Sequence, residues 1–348
     1  MDKHLEMKEK ITELEKAEED YKLKEGMKSE LLEEAAVKRG YKVERLNFDT
    51  MILTLNGKEL LFRDMNGPLS SAAMMHIVDD KHHARGLVKK QNISTPESTY
   101  LRIFERDEFK AFAKKIGYPV VLKPNNLSRG EGVYTNIDSD ESLDQNLDKI
   151  SQLIGNETER ILIEKQFIGD DYRFFVVDGE VLAVSKRARA NVIGDGKHTV
   201  LELIQEKNKL RSQDRDLKHY LIPTDEGKLG RLYREGRTLE TIPAEDEHVI
   251  IRDESNIASG GEGIDFTGTA HKGFKDIAVR AVQAIPGFHY GGVDIIADDI
   301  TASPTSSNYV VTEVEFSPGP LSMFHWKGKD RDMANPVLDF YLRNLDKL

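Results

Sequence analysis

The chain has 348 residues, 39% hydrophobic and 32% charged, and its 50 Lys and Arg against 61 Asp and Glu give a net charge of −11. This length supplies enough apolar material for two or three sub-domains sharing a core, while the acidic balance disfavours general nucleic-acid binding, which relies on cationic surface. Cysteine is absent, which excludes disulfides, thiolate metal sites and a cysteine nucleophile, and a mean hydropathy of −0.52 argues against a helical membrane protein.

The start, Met1-Asp2-Lys3-His4-Leu5-Glu6, lacks the apolar core of a secretory signal, so a cytoplasmic location is expected. Residues 1–28 are dense in Lys and Glu, with Met7, Ile11, Leu14 and Tyr21 at spacings of three, four and seven. That pattern suits one or two solvated amphipathic helices. Another helix is expected from near Ser29 to Gly40, since glycine commonly ends helices. Strands follow at Tyr41–Leu46, Met51–Leu55 and Leu60–Phe62, with Asn56-Gly57 as a hairpin turn.

Phe109, Phe112 and Ile116 mark one face of a helix that stops at Gly117. Tyr118–Pro124 reads as a buried strand, Asn125–Gly132 as a loop and Val133–Ile137 as a strand; Glu141–Leu153 then reads as a helix and Ile161–Glu164 as a strand. Asp171–Val177 and Glu180–Ser185 alternate around Asp178-Gly179 as a second hairpin. Thr199-Val200-Leu201-Glu202 is a capping-box match that opens a helix through Asn208. Gly292–Ala297 and Tyr309–Phe316 read as neighbouring strands. Helices alternate with strands throughout, so the expected class is α+β (α/β).

Four constellations carry chemistry. Lys123 precedes Ser128-Arg129-Gly130-Glu131-Gly132, a glycine-rich turn whose backbone N–H groups suit phosphate oxygens; an ordinary hairpin turn is an equal reading of those residues taken alone. Glu164-Lys165-Gln166-Phe167, leaving a strand, offers backbone groups and a lysine to a base, with Asp171 beyond for hydroxyls; a plain charged connection fits as well. Glu313 and Glu315, two apart on a strand, share a face that Asp294 can join from the next strand. Three clustered carboxylates repel unless cations sit between them, and such all-oxygen sets select Mg²⁺ or Mn²⁺. Finally, Asn191–Lys197 and Asn256–Gly263 are glycine-rich segments that could close over a substrate or be simple connections, which glycine content alone does not decide.

The order of these pieces resembles the ATP-grasp superfamily, above all the ATP-grasp module of bifunctional glutathione synthetases and cyanophycin synthetases. The stretches that carry the resemblance are Asp171-Tyr172-Arg173, Val177–Val181, Arg187–Thr199, Ser255–Gly261, Gly292-Val293-Asp294 and Glu313–Gly319. It implies an ATP-grasp fold of two α+β sub-domains gripping ATP. The expected layout is a helical extension (1–28), an N-terminal region (29–98), a nucleotide-binding sub-domain (99–185) and a C-terminal sub-domain with the metal site (186–348). It also implies that Lys81 and Lys123 contact the nucleotide and that Ser128, Arg129, Gly130 and Gly132 cover its phosphates. Glu164, Lys165 and Phe167 would sit at the adenine, Asp171 at the ribose, and Asp294, Glu313 and Glu315 at Mg²⁺ or Mn²⁺. Arg252 and Arg187, with Lys123, would act at the reacting groups, and the Gly260–Gly263 region would form a lid. At the third metal position relatives usually carry asparagine where this chain has Glu315. The activity implied is ATP-dependent joining of a carboxylate to an amine through an acyl-phosphate, on amino acids or short peptides, with a homodimer as the assembly. Kinase-type phosphoryl transfer, or a nucleotide-binding regulatory protein without turnover, are the alternatives weighed.

Overall fold

The structure, a computed structural model, describes residues 28–125, 132–155, 158–214, 217–225, 228–319, 328 and 331–348. The helices expected over residues 1–28 therefore lie, but for Lys28, outside the described residues, as do Ser128, Arg129 and Gly130.

Helix α1 covers residues 28–38 and leads into an antiparallel sheet of β1 (Lys42–Arg45), β2 (Thr50–Leu55) and β3 (Lys58–Arg63). Asn56 and Gly57, both at positive φ, close the β2–β3 hairpin as expected. Two short helices follow, α2 (Ala72–Asp79) and α3 (Lys81–Lys89), capped by the side chains of Ser71 and Asp80. A four-stranded sheet in the order β4 (Ser98–Arg102), β7 (Arg160–Lys165), β5 (Val120–Pro124), β6 (Tyr134–Ile137) comes next. Its helices are α4 (Arg106–Ile116) and α5 (Asp140–Ile154). Alternation decides its faces. Val120, Leu122, Ile161 and Ile163 bury against Phe109, Leu143 and Leu147 of the two helices, so the intervening Lys123 and Glu164 fall on the opposite face.

The largest sheet runs β12 (Glu262–Asp265), β9 (Glu180–Ala188), β8 (Asp170–Val177), β13 (Tyr290–Ala297), β14 (Tyr309–Glu315), with every neighbouring pair antiparallel. One face, with Phe174, Val184, Val293 and Val311, packs on α8 (Lys272–Gln283) and on α2 and α3. The other face changes character along its length. At one end Phe175, Val177, Ala183 and Tyr290 meet β1–β3, α1 and α9 (Ala334–Arg343). Further along, the same alternation brings up Asp171 and Arg173, Arg187, and Asp294 in place of those apolar residues. This sheet crosses the sub-domain boundary expected between residues 185 and 186. The hairpin β8–β9 hydrogen-bonds to β12 and β13, so it shares a sheet with the later strands and not with β4–β7.

A smaller module, residues 189–257, joins β9 to β12. It holds β10 (Asn191–Ile193) paired with β11 (His248–Ile250), α6 (Val200–Arg211) and α7 (Gly230–Arg234) around Val192, Ile204, Leu232 and Val249. The capping box at Thr199 and Glu202 is present. Among the described residues no helix is long and apolar enough to cross a membrane.

Candidate active site

Between the two larger sheets lies a cleft of about 1430 Å³. From one wall come Lys123 on β5 and Glu164 and Lys165 at the end of β7, followed by Phe167; from the other come Asp171, Arg187, Asp294, Glu313 and Glu315. Lys81 of α3 and Arg252, just past β11, also reach it. All the described residues expected at the site thus line one cavity except Gly132, which is at its rim in sequence only. Gly132 has φ +70°, and a Cβ there would stand 2.9 Å from Cγ of Pro124, so the chain needs glycine to leave the loop.

The first polar cluster is Lys123, Glu164 and Arg85. The Lys123 ammonium stands 3.0 Å from Glu164 Oε1, and Arg85 pairs with Oε2 of the same carboxylate. All three are nearly inaccessible to solvent. Burial alone would push the Glu164 carboxyl up, but Arg85 and Lys123 outweigh it and hold the group below its ordinary value. Burial, reinforced by Arg85, pushes the Lys123 ammonium down against the pull of Glu164 and Glu313. Arg85 also donates from Nε to the carbonyl of Thr312 at 2.6 Å. One turn earlier, Lys81 lies 3.1 Å from Glu313 Oε1 and donates to the carbonyl of Asn125 at 3.3 Å. Both residues therefore tie the β5–β7 wall to β14.

The second cluster sits on the larger sheet. Asp294 receives Arg173 on both oxygens, Nη2 at 2.9 Å, and Arg187 Nη2 at 2.8 Å on Oδ2. Arg173 also pairs with Glu315, and Arg187 with both oxygens of Asp171 at 2.8 and 2.9 Å. Burial opposes charge on Asp294, yet the two arginines hold its carboxyl below the usual range. The repulsion expected among the three acids is therefore met by side-chain cations: Lys81 on Glu313, Arg173 on Glu315, both arginines on Asp294. Among the described residues no three acids converge into a ready metal cage. The donor set nonetheless fits Mg²⁺, being all oxygen. Glu313 and Glu315 keep 33% and 37% of their side-chain surface exposed to the cleft, so these two can exchange partners, whereas Asp294 at 5% is locked.

Other expected positions are engaged locally. Lys165 donates to the carbonyls of Gly117 and Tyr118 at 2.8 and 2.9 Å. Asp171, expected at a ribose, accepts the Ser255 hydroxyl as well as Arg187. Arg252 forks onto Glu254 at 3.0 and 3.2 Å. The Gly260–Gly263 region is no lid in this structure. Glu262 and Gly263 belong to β12, and a Cβ on Gly261 would stand 2.6 Å from the carbonyl oxygen of Ala188, so the segment is wedged in place.

Arg85, Arg173 and Ser255 are the participants that the sequence reading did not assign. Arg173 lies two residues from Asp171 on a strand, and Arg85 four from Lys81 on a helix, so shared-face spacing pointed to both.

A family model for the phosphoribosylglycinamide synthetase ATP-grasp (A) domain matches residues 79–196. The chain is 32% identical over 273 residues to the glutathione biosynthesis bifunctional protein GshAB of Clostridium perfringens, which takes in 76% of this chain and 34% of that protein. It is 33% identical over 264 residues to the cyanophycin synthetase of Geminocystis herdmanii, covering 75% and 30%. Among solved structures, a bifunctional glutathione synthetase from Pasteurella multocida superposes with a TM-score of 0.65 at 26% identity, covering 90% of this chain and 43% of that one. The chain thus spans about a third of the length of the curated relatives it matches.

Proposed function

Because the chain belongs to the ATP-grasp superfamily, whose ligases use ATP and Mg²⁺, we propose that it joins a carboxylate to an amine through an acyl-phosphate, releasing ADP and phosphate. The observation that carries the reading is the single cleft in which Lys81, Lys123 and Glu164 face Arg187, Asp294, Glu313 and Glu315. The reaction needs a nucleotide and two substrates side by side, and the cavity is large enough for them.

Lys123, desolvated and fixed by Glu164, is set to balance phosphate charge as the γ-phosphoryl moves to the substrate carboxylate. Ser128, Arg129, Gly130 and Gly132 cover the phosphates, while Glu164, Lys165 and Phe167 hold the adenine. Asp171 serves the ribose after parting from Arg187. Glu313 and Glu315, with Asp294 behind them, hold Mg²⁺, which supplies charge neutralisation and orientation of the phosphates. Arg252 and Arg187 orient the reacting carboxylate and stabilise the oxyanion that forms when the amine attacks; loss of such a donor costs about 10²- to 10³-fold in kcat. Glu254 is the partner from which Arg252 is drawn. Departing phosphate leaves an amide, and no covalent enzyme intermediate is required. The enzyme works on amino acids or short peptides in the cytoplasm, with a homodimer as the assembly the resemblance implies.

The test is ADP and phosphate release from Mg²⁺-ATP with pooled amino acids and γ-glutamyl peptides, beside Glu313→Ala. Substrate-dependent release that falls at least about 10²-fold in the variant, with a product mass equal to two substrates less water, supports the reading. A stable phosphorylated product would mark kinase-type transfer instead, and AMP with pyrophosphate would exclude the acyl-phosphate route.

A further inference from the structure

The module over residues 189–257 brings three arginines to the cleft that the reaction described above does not use: Arg189, just past β9, and Arg231 and Arg234 on α7. Arg231 and Arg234 are three apart and leave the helix on one side, while Leu232 between them is fully buried and anchors α7 to the module's core. All three close on one residue, Asp253. Arg231 Nη1 is 3.4 Å from Oδ1, Arg234 pairs with Oδ2, and Arg189 Nε donates to the Asp253 carbonyl at 2.7 Å. Arg231 shares itself with Glu235 at 2.8 Å, and Arg189 is in no ion pair among the described residues.

Three guanidinium groups against two carboxylates, Asp253 and Glu235, leave an excess of positive charge facing a cleft, in a chain whose net charge is −11. The partner that the arginines do hold shows which chemistry fits them, a carboxylate received on guanidinium edges. The contacts are also open to solvent: the Asp253 side chain is 34% exposed and that of Arg234 61%. Exposed pairs of this sort contribute little to stability, so one carboxylate can replace another at small cost.

We propose that Arg189, Arg231 and Arg234 form a subsite for a second carboxylate of the substrate, remote from the reacting one, and that Asp253 occupies it until that substrate arrives. The inference rests on the ligase reading and narrows it to dicarboxylate amino acids or peptides with an acidic end. Without substrate, Asp253 keeps the guanidinium groups oriented and prevents their mutual repulsion from splaying them. A substrate carboxylate takes its place on Arg231 and Arg234 and gains the unengaged Nη groups of Arg189. Removing the placeholder's charge therefore strengthens binding, the reverse of what loss of a structural ion pair produces.

The probe is glutarate against its monoamide, titrated calorimetrically into the full chain saturated with Mg²⁺ and a non-hydrolysable ATP analogue. Wild type is expected to bind glutarate about 10-fold more tightly than the monoamide, a difference of about 1.4 kcal/mol. Asp253→Asn, close to isosteric, should tighten glutarate several-fold. The double variant Arg231→Gln/Arg234→Gln should bind the two ligands equally, with an unchanged melting midpoint as the control on folding. Equal binding by wild type, undetectable glutarate binding, or weaker binding by Asp253→Asn each overturn the subsite. Discrimination without ADP release from any substrate pool would sink the ligase reading and leave the subsite standing; ADP release without discrimination does the opposite.

Discussion

Glu164 stands between two buried cations, and its charge is what lets Arg85 and Lys123 share a desolvated corner. Breaking a buried ion cluster by removing one member leaves charge uncompensated, which costs about 3–5 kcal/mol. Glu164→Gln keeps the shape and removes the charge, so a loss of that order is expected in denaturant unfolding, with the slope m unchanged. The pH dependence has a definite sign. A carboxylate whose folded pKa is depressed contributes stability that is fully present above its unfolded value, near 4.5, and that is lost as pH falls through the folded one. Wild type should therefore weaken progressively below about pH 4.5, and Glu164→Gln should flatten that part of the acid limb. An acid limb identical in both proteins would show that Arg85 and Lys123 do not hold Glu164 ionised.

At the scale of elements, α6 fixes the loops that line the module's side of the cleft. Arg211, fully buried at its last position, donates to the Tyr220 carbonyl from Nε at 2.9 Å and from Nη2 at 2.6 Å, and to the Gly261 carbonyl at 2.9 Å. Burial lowers its pKa to about 10, which leaves it charged at neutral pH. One turn earlier Lys207 pairs with Glu262 and donates to the Asn191 carbonyl at 2.8 Å, and Asn208 both donates to and accepts from the backbone of Ile222. Arg211→Met strands buried carbonyls of two loops. Each unsatisfied group costs about 1–3 kcal/mol, so a destabilisation of about 2–4 kcal/mol is expected by denaturant midpoint, with Arg211→Lys losing less. Equal losses in both variants would assign the effect to packing. These long-range anchors also mark where the sequence stops being legible. The start of α6 is written locally, as Thr199 followed by Glu202, and so are the turns at Asn56-Gly57 and Asp178-Gly179, where positive φ favours those residues. α8 was equally readable from Phe274, Ile277, Ala278 and Ala281 at helical spacing, but was not read. By contrast, no local signal tells Arg211 of its carbonyls 9 and 50 residues away, or Arg173 of Asp294, 121 residues on. The acids were found from their spacing; the arginines that neutralise them depend on which strands become neighbours, and that choice is made by the whole sheet. The same limit applies to the β8–β9 hairpin, which reads identically whichever sheet it joins.

On the scale of the whole molecule, the cleft walls belong to different sheets, and α3 straps them together before any nucleotide arrives. Lys81 reaches the Asn125 carbonyl beyond β5 and Glu313 on β14; Arg85 reaches Glu164 on β7 and the Thr312 carbonyl on β14. A nucleotide bound between the walls adds contacts to both, so it should stabilise the fold as a unit and not one sheet alone. Saturation at 100 times Kd contributes about 2.7 kcal/mol by linkage. For a chain of this size that is about 4 °C in the unfolding midpoint. We expect a non-hydrolysable ATP analogue with Mg²⁺ to raise the midpoint by that amount in a single transition. Lys123→Met keeps most of the buried volume and leaves Glu164 paired with Arg85, so it should melt as one unit while losing more than half of the ligand-induced shift. A full shift in Lys123→Met would remove Lys123 from the phosphate site. A shift confined to one of two separate transitions would mean that the nucleotide grips one wall only, and that α3 does not couple the sheets.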